Sequence, residues 1–247
     1  MMKLWFSLYD YNYTFSGNES AFFDPKDQPW AKDFENNFIE IKAELTRYLE
    51  EHSPETYFNK NMVNQSSIWK TISLRWWNVQ FREKQMYFPK TMKIVAKYPE
   101  IISLSFNQLE AKGEILPHCG DTNAIFRCHF GMEIPDSLPN CGFRVKDEKR
   151  SWEEGKWLIF VDANNHEAFN KSEKRRIIMV IDVVRNEFKS KRMLVCSTVL
   201  TSLFLQKRIQ LFPFLLKSPV LLRKVVSFFL IPFAYISIQI VNKLKIY

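Results

Sequence analysis

Between residues 101 and 185 the chain is cut into short runs of β-branched and aromatic residues, and this punctuation constrains the fold more than any other feature. IISLSFNQL, NAIFRCHFGMEI, CGFRVKD, WLIFVDA and RRIIMVIDVV are separated by Gly, Pro, Asn or Asp. Several strands at regular spacing with turn signals between them predict an all-β sandwich or barrel. Five of the six glycines (Gly113, Gly120, Gly131, Gly142 and Gly155) fall in this stretch. The tight turns of the chain are therefore concentrated in its middle.

The flanks differ from this core. From residue 1 to about 98 the chain reads as a helical, aromatic-rich lead-in. Phe34, Phe38, Ile41, Leu45, Tyr48 and Leu49 recur at helical spacing between Trp30 and His52, and Pro29 suits a first helical turn. A shorter helix is expected to begin at Pro89. The segment IWKTISLRWWNVQF between them fits a strand or a loop equally well. MMKLWFSLYDYNYTF has no apolar run of the length an export signal needs, so no signal peptide is expected.

Beyond residue 185 apolar and basic runs alternate. MLVCSTVLTSLFL (193–205), LFPFLL (211–216) and VVSFFLIPFAYISIQIVN (225–242) are separated by Lys207, Arg208, Lys217, Arg223 and Lys224. The last run has about the minimum length for crossing a bilayer, although it contains Ser227, Pro232, Ser237 and Gln239. The expected division is residues 1–185 as one mainly β domain with flanking helices (α+β), and residues 186–247 as a basic apolar tail.

The net charge of +8 is concentrated in that tail: residues 183–247 hold 11 Lys or Arg and one acid, Glu187, whereas residues 1–182 hold 24 basic and 26 acidic side chains. A near-neutral domain with a basic tail argues against a nucleic-acid partner. It fits attachment to an anionic membrane surface, with the domain on the cytoplasmic side; the alternative is that 193–216 packs as helices on the barrel. The four cysteines form no CxxC pair, which points to free thiols in a reducing compartment and away from a zinc site.

Chemistry is concentrated in a few positions of the β region. In IFRCHFGM, Arg127 and His129 share one strand face while Phe126, Cys128 and Phe130 share the other. Taken alone, such a strand is more often a salt-bridged barrel interior than a site. Three of the four histidines (His118, His129 and His166) lie in or beside this region. His118 sits beside a turn in LPHCGDTN and His166 at a strand end in DANNHEAF, and two histidines at such junctions favour a metal more than either does singly. Arg176 opens the apolar strand RIIMVIDVV, where it either caps an exposed end or grips an anion. Two imidazoles can anchor a divalent iron and leave positions open for a 2-oxo acid and dioxygen, and a guanidinium fork suits the distal carboxylate of that acid.

HCGDTNAIFRCHFGMEIP, RSWEEGKWLIFVDANNHEAF and RRIIMVIDVV resemble the aspartyl/asparaginyl β-hydroxylase family of 2-oxoglutarate dioxygenases. FFDPKDQPWAKDFENNFIEIKAEL and YPEIISLSFNQLEAKGEILPH resemble it too, so the likeness covers about residues 1–185. It implies a double-stranded β-helix (jelly-roll) core, with iron(II) and 2-oxoglutarate as cofactors and dioxygen as co-substrate. Carried over by position, His118 and His166 are the expected iron ligands and Arg176 the expected partner of the 2-oxoglutarate C5 carboxylate. Arg127 and His129 are expected to line the pocket and touch the co-substrate. Asn107 stands where the family often has Ser near the co-substrate, and Asp162 is either a group beside the iron or a plain turn residue.

The usual iron triad places a carboxylate two residues after the first His. Here that residue is Gly120, and Asp121 comes one too late; the family resembles this chain in having Gly there. The activity implied is hydroxylation of an unactivated C–H bond. The expected substrate is a peptidyl Asp or Asn, with the acyl chain of a membrane lipid as the alternative. A non-catalytic β-sandwich binding module is the remaining reading. Loss of His118, His166 or Arg176 would mark such a module, and all three are present.

Overall fold

A computed structural model describes residues 2–10, 14–58, 62–65, 68–211 and 219–244. Eleven strands among these residues form two sheets. The larger contains β1 (Glu55–Thr56), β2 (Trp69–Trp76), β3 (Val79–Gln80), β4 (Ile101–Leu109), β6 (Ile125–Glu133), β9 (Trp157–Val161) and β11 (Arg176–Val184). Its order is β1-β2-β4-β11-β6-β9, with β3 folded back on β2. The smaller sheet has the order β5-β10-β7-β8, made of β5 (Gly113–His118), β7 (Cys141–Val145), β8 (Glu148–Arg150) and β10 (His166–Asn170). All named pairings are antiparallel. The protein is mainly β with flanking helices, a jelly-roll core in which the two sheets face each other.

The alternation along the central strands explains the layers. On β11, Ile177, Met179, Ile181 and Val183 join the cluster formed with the N-terminal helices, while Arg176, Ile178, Val180 and Asp182 line the space between the sheets. On β6, Cys128, Phe130 and Met132 take the helical side and Arg127 and His129 the inner side. Period two thus separates an apolar core from a polar inner wall on the same strands.

The lead-in forms α1 (Pro29–Asn36), α2 (Phe38–Glu51), α3 (Arg82–Gln85) and α4 (Pro89–Val95). The helix expected over Trp30–His52 is broken at Asn37, whose side-chain amide donates to the Asp33 carbonyl at 2.7 Å. Glu44 of α2 is buried because it caps α4, accepting from the backbone N–H of Lys90 at 2.6 Å and of Thr91 at 3.1 Å. IWKTISLRWWNVQF resolves into the β2–β3 hairpin. Its two-residue turn, Trp77–Asn78, has positive φ at both positions (46° and 69°), the geometry that matches strand twist in a tight hairpin.

The tail forms α5 (Arg192–Leu211) and α6 (Val220–Leu244). Val195, Cys196 and Val199 of α5 are fully buried against Ile102, Ile125 and Val184. Helix α6 packs on α5 and β3, has the length and composition to cross a membrane, and leaves most of its apolar residues exposed. In the apolar run 211–216, residues 212–216 lie outside the described residues.

Candidate active site

Strand pairing creates the histidine pair. His118, the last residue of β5, lies opposite His166, the first of β10, and the ring centroids are 4.2 Å apart. Each ring is oriented by the same device: His118 Nδ1 donates to the Leu116 carbonyl at 2.7 Å, and His166 Nδ1 to the Asn164 carbonyl at 2.7 Å. A carbonyl only accepts, so both Nδ1 atoms carry the proton and both Nε2 atoms keep a free lone pair. Burial pushes the His118 pKa down to about 4, with the Leu116 carbonyl opposing and Arg127 assisting. Burial, then His118 alongside, holds His166 well below the usual range. Both imidazoles are neutral at pH 7, the form that binds a metal.

The two rings line a cavity of about 530 Å³ between the sheets. Arg176, 2% exposed, also lines it. Its Nε has no hydrogen-bond partner among the described residues, and its guanidinium lies 4.4 Å over the Trp152 ring. Burial lowers its pKa to about 10. A buried cation with an orphan donor facing a cavity fits an incoming carboxylate. His129 is buried nearby, and its Nδ1 accepts from Trp152 Nε1 at 3.4 Å, which makes its Nε2 a donor. Asn107 lines the same cavity; its amide donates to Ser105 Oγ at 2.9 Å and its carbonyl accepts from Trp69 Nε1 at 3.2 Å.

Arg127 reaches the cavity wall, but much of its guanidinium is engaged. Nε and Nη2 bond the two oxygens of Asp182 at 2.8 and 3.0 Å, and Nη1 bonds Asp162 at 2.5 Å. Burial opposes its charge, but the two aspartates outweigh that and raise its pKa. Asp162 is pushed up to about 7 by burial beside Asp182 and Asp121, against the pull of Arg127. A β-carbon at Gly120 would collide with the Asp162 carboxylate, and the Gly120 N–H donates to the Asp162 carbonyl at 2.9 Å. Asp162 therefore fills the space that a side chain at 120 would take. Asp121 faces elsewhere, accepting from Ser7, Ser202 and Gln206 at 2.9–3.1 Å. No group of three or more His, Cys, Asp or Glu able to hold a metal occurs among the described residues.

Two members of the site have sequence signals that spacing alone does not decode. Trp152 props both Arg176 and His129, and its signal is the W-E-x-G element. Asp182 is the directly paired neighbour of Arg127 across β11 and β6, and its signal is the lone acid within RIIMVIDVV. Leu200, Leu203, Phe204 and Lys207 of α5 form a further wall of the cavity.

The family model described as Aspartyl/Asparaginyl beta-hydroxylase matches residues 35–186. An ornithine lipid ester-linked acyl 2-hydroxylase of Rhizobium tropici is 30% identical over 186 residues, 73% of this chain and 66% of that protein. The aspartyl/asparaginyl beta-hydroxylase of Homo sapiens is 34% identical over 100 residues, 38% of this chain and 13% of that protein. The chain thus spans just under two thirds of the first relative and a small part of the second. A prolyl-4-hydroxylase structure from Pseudomonas putida aligns at 9% identity with a TM-score of 0.42, covering 61% of this chain and 87% of that one.

Proposed function

Because this chain belongs to the aspartyl/asparaginyl beta-hydroxylase family, we propose that it is an iron(II)- and 2-oxoglutarate-dependent hydroxylase acting on the acyl chain of a membrane lipid. The observation that carries the chemistry is the pairing of His118 and His166, with both Nδ1 atoms engaged, around a cavity that also holds Arg176, whose Nε has no hydrogen-bond partner among the described residues.

The residues fit both groups. His118 and His166 would hold the iron through Nε2, and Arg176 would take the distal carboxylate of 2-oxoglutarate in charge-assisted hydrogen bonds. When bound, iron(II) with 2-oxoglutarate and dioxygen supplies the oxidising power to hydroxylate an unactivated C–H bond, with decarboxylation to succinate. The chain's own residues position and shield. The Leu116 and Asn164 carbonyls fix the ring tautomers, a form of orientation that raises ligand basicity. Neutral His129 offers an Nε2–H donor to an anionic co-substrate. Trp152 keeps the Arg176 guanidinium in place by stacking, and Phe143, Ile115 and Ala168 of the smaller sheet line the cavity with apolar groups, which limits water.

The lipid substrate is supported by those walls, by the α5 residues at the cavity, and by the longer of the two family alignments. A second reading, a peptidyl Asp or Asn substrate, draws on the 34% identity to the human enzyme. Succinate release from 2-oxoglutarate with iron(II) tests the chemistry: wild type turns over and His166→Ala does not, and equal rates would refute the site. Mass spectrometry of lipids and tryptic peptides from cells with and without the protein decides the substrate by where one added oxygen disappears.

A further inference from the structure

Helix α6 presents a long apolar surface, with Leu221, Phe228, Phe229, Phe233 and Ile236 exposed along it. Between Lys224 and Lys243 it contains no charged residue, and Phe228, Phe229 and Phe233 are each more than 60% exposed. An exposed apolar stripe this long marks an interaction surface. Two occupancies fit its length, a bilayer crossing and an in-plane bed. Contacts along the helix separate them.

Near its start, Ser227 is buried, its hydroxyl donating to the Arg223 carbonyl at 2.6 Å, and the helix packs on the turn Ser7–Tyr9. Near its end, Asn242 accepts from the Gln80 N–H at 3.0 Å, donates to the Asn78 carbonyl at 2.8 Å, and lends its own carbonyl to Arg82 at 3.3 Å. Arg223 and Ile238 are buried too. At about 1.5 Å per residue, Ser227 and Asn242 are roughly 22 Å apart along the axis, and both are held by one folded domain. A crossing helix would have to pull Asn78, Arg82 and their sheet edge into hydrocarbon, where unsatisfied polar groups cost several kcal/mol each. Lying flat, the helix keeps every one of these bonds and presents its phenylalanines to acyl chains.

We propose that α6 is an in-plane docking helix that seats the domain on an anionic phospholipid surface beside the cavity wall formed by α5. The charge pattern selects that occupant over a second copy of the chain. Lys224 and Lys243 bracket the apolar stripe at headgroup level, and the 11 basic residues against one acid from 183 onward would repel a like partner while attracting anionic lipid. The cavity wall adjoins this bed: Phe204 and Lys207 of α5, the helix on which α6 packs, line the cavity, and so do Trp76 and Phe81, which flank the hairpin that Asn242 grips. The docking surface deepens the lipid reading but is tested apart from it.

Flotation with vesicles of equimolar phosphatidylglycerol and phosphatidylcholine is the first measurement. The full chain floats, less so in high salt or on pure phosphatidylcholine, and the triple variant Phe228→Asp, Phe229→Asp, Phe233→Asp loses binding by roughly tenfold or more while succinate release is unchanged. Wild type that stays at the bottom overturns the docking surface, and intact succinate release in the same sample leaves the chemistry standing. The second measurement reads orientation. Leu221→Cys and Leu244→Cys, both exposed positions, are labelled with an impermeant maleimide in sealed membrane vesicles and the tagged peptides are mapped. In-plane seating labels both to the same extent from one side; protection of one end until detergent is added overturns it. Dimers that float no better than monomers support lipid as the occupant, and dimerisation lost with the triple variant in the absence of lipid overturns it.

Discussion

Replacing Arg176 by Met should stabilise the apo-protein while abolishing its response to 2-oxoglutarate. In the fold the guanidinium is buried, its Nε has no partner among the described residues, and burial pushes its pKa down to about 10 from 12.5. At about 1.36 kcal/mol per pKa unit, the folded state carries a cost of roughly 3 kcal/mol for keeping this group charged. The folded pKa lies below the unfolded one, so that cost is fully present at neutral pH and fades only as pH rises through about 10. Methionine removes it and gives up the stacking on Trp152, worth about 1–2 kcal/mol. Because the side chain borders an open cavity, little enclosed void is left. The net gain is about 1–2 kcal/mol, or a Tm increase of about 2–8 °C for a chain of this size. The same change deletes two charge-assisted hydrogen bonds to a carboxylate, each worth about 1.5–3 kcal/mol, so 2-oxoglutarate affinity should fall by about a hundredfold or more. Thermal melts of the apo-protein, and of the metal-saturated protein with and without 2-oxoglutarate, read both effects. Wild type should melt lower when apo and rise further when 2-oxoglutarate is added to the metal-bound form, whereas the variant should start higher and show no further rise with 2-oxoglutarate. A variant that starts lower and still responds would refute the role given to Arg176.

Asp182→Asn should cost about 3 kcal/mol, because Arg127 then keeps only Asp162 as a counter-charge in a buried place; in urea unfolding, the pair Arg127→Met with Asp182→Leu should recover part of that loss, and a mild effect of the single change would sink the ion-pair account. His129 is held well below its usual pKa by burial, then by Arg176 and Arg127, so below about pH 6.5 the unfolded chain takes up the proton first and stability falls by about 1.4 kcal/mol per pH unit. His129→Asn removes that contribution, and its unfolding free energy should drop less than wild type's between pH 7 and about pH 5; parallel curves would contradict the assignment. Asp162→Asn keeps the shape beside Gly120 but loosens the Arg127 network that braces the His118 turn, and iron(II) affinity by titration calorimetry should weaken by about tenfold, an effect that an unchanged isotherm would rule out.

Strand positions were legible wherever one face of a strand is buried, since period two is then written into the residues. That holds for IISLSFNQL, for IFRCHFGM and for RIIMVIDVV, whose alternation becomes the inner and outer walls of the larger sheet. The short strands β5 and β10 carry too few residues for a period, so DANNHEAF reads only as a strand end until the pairing of HEAFN with GEILPH is known. Helix α5 was obscure for a different reason. Ser197, Thr201 and Ser202 are buried within it, and Ser197 and Thr201 turn their hydroxyls back onto carbonyls four residues earlier, at 2.8 Å, so its faces do not separate by polarity. At the site, the residue types were readable and their partners were not. Arg127 and His129 share a strand face by sequence, but which acid answers Arg127 depends on the register between β6 and β11.

The missing carboxylate after His118 shows how far position and function can part. By spacing, Gly120 looks like the loss of an anionic ligand. In the fold, the volume of that absent side chain belongs to Asp162, brought from the far end of β9, held by its own backbone to Gly120 and by its carboxylate to Arg127. Any side chain at 120 would displace this carboxylate and, through Arg127, disturb Asp182 on β11. Glycine at 120 and aspartate at 162 are therefore one feature in two places: the first makes room that the second uses. The same loop continues into Asp121, which is bonded to Ser202 and Gln206 of α5. The turn that carries His118 is thus braced on one side by the Arg127 network and on the other by the tail, so the basic tail helps to hold the histidine pair in place.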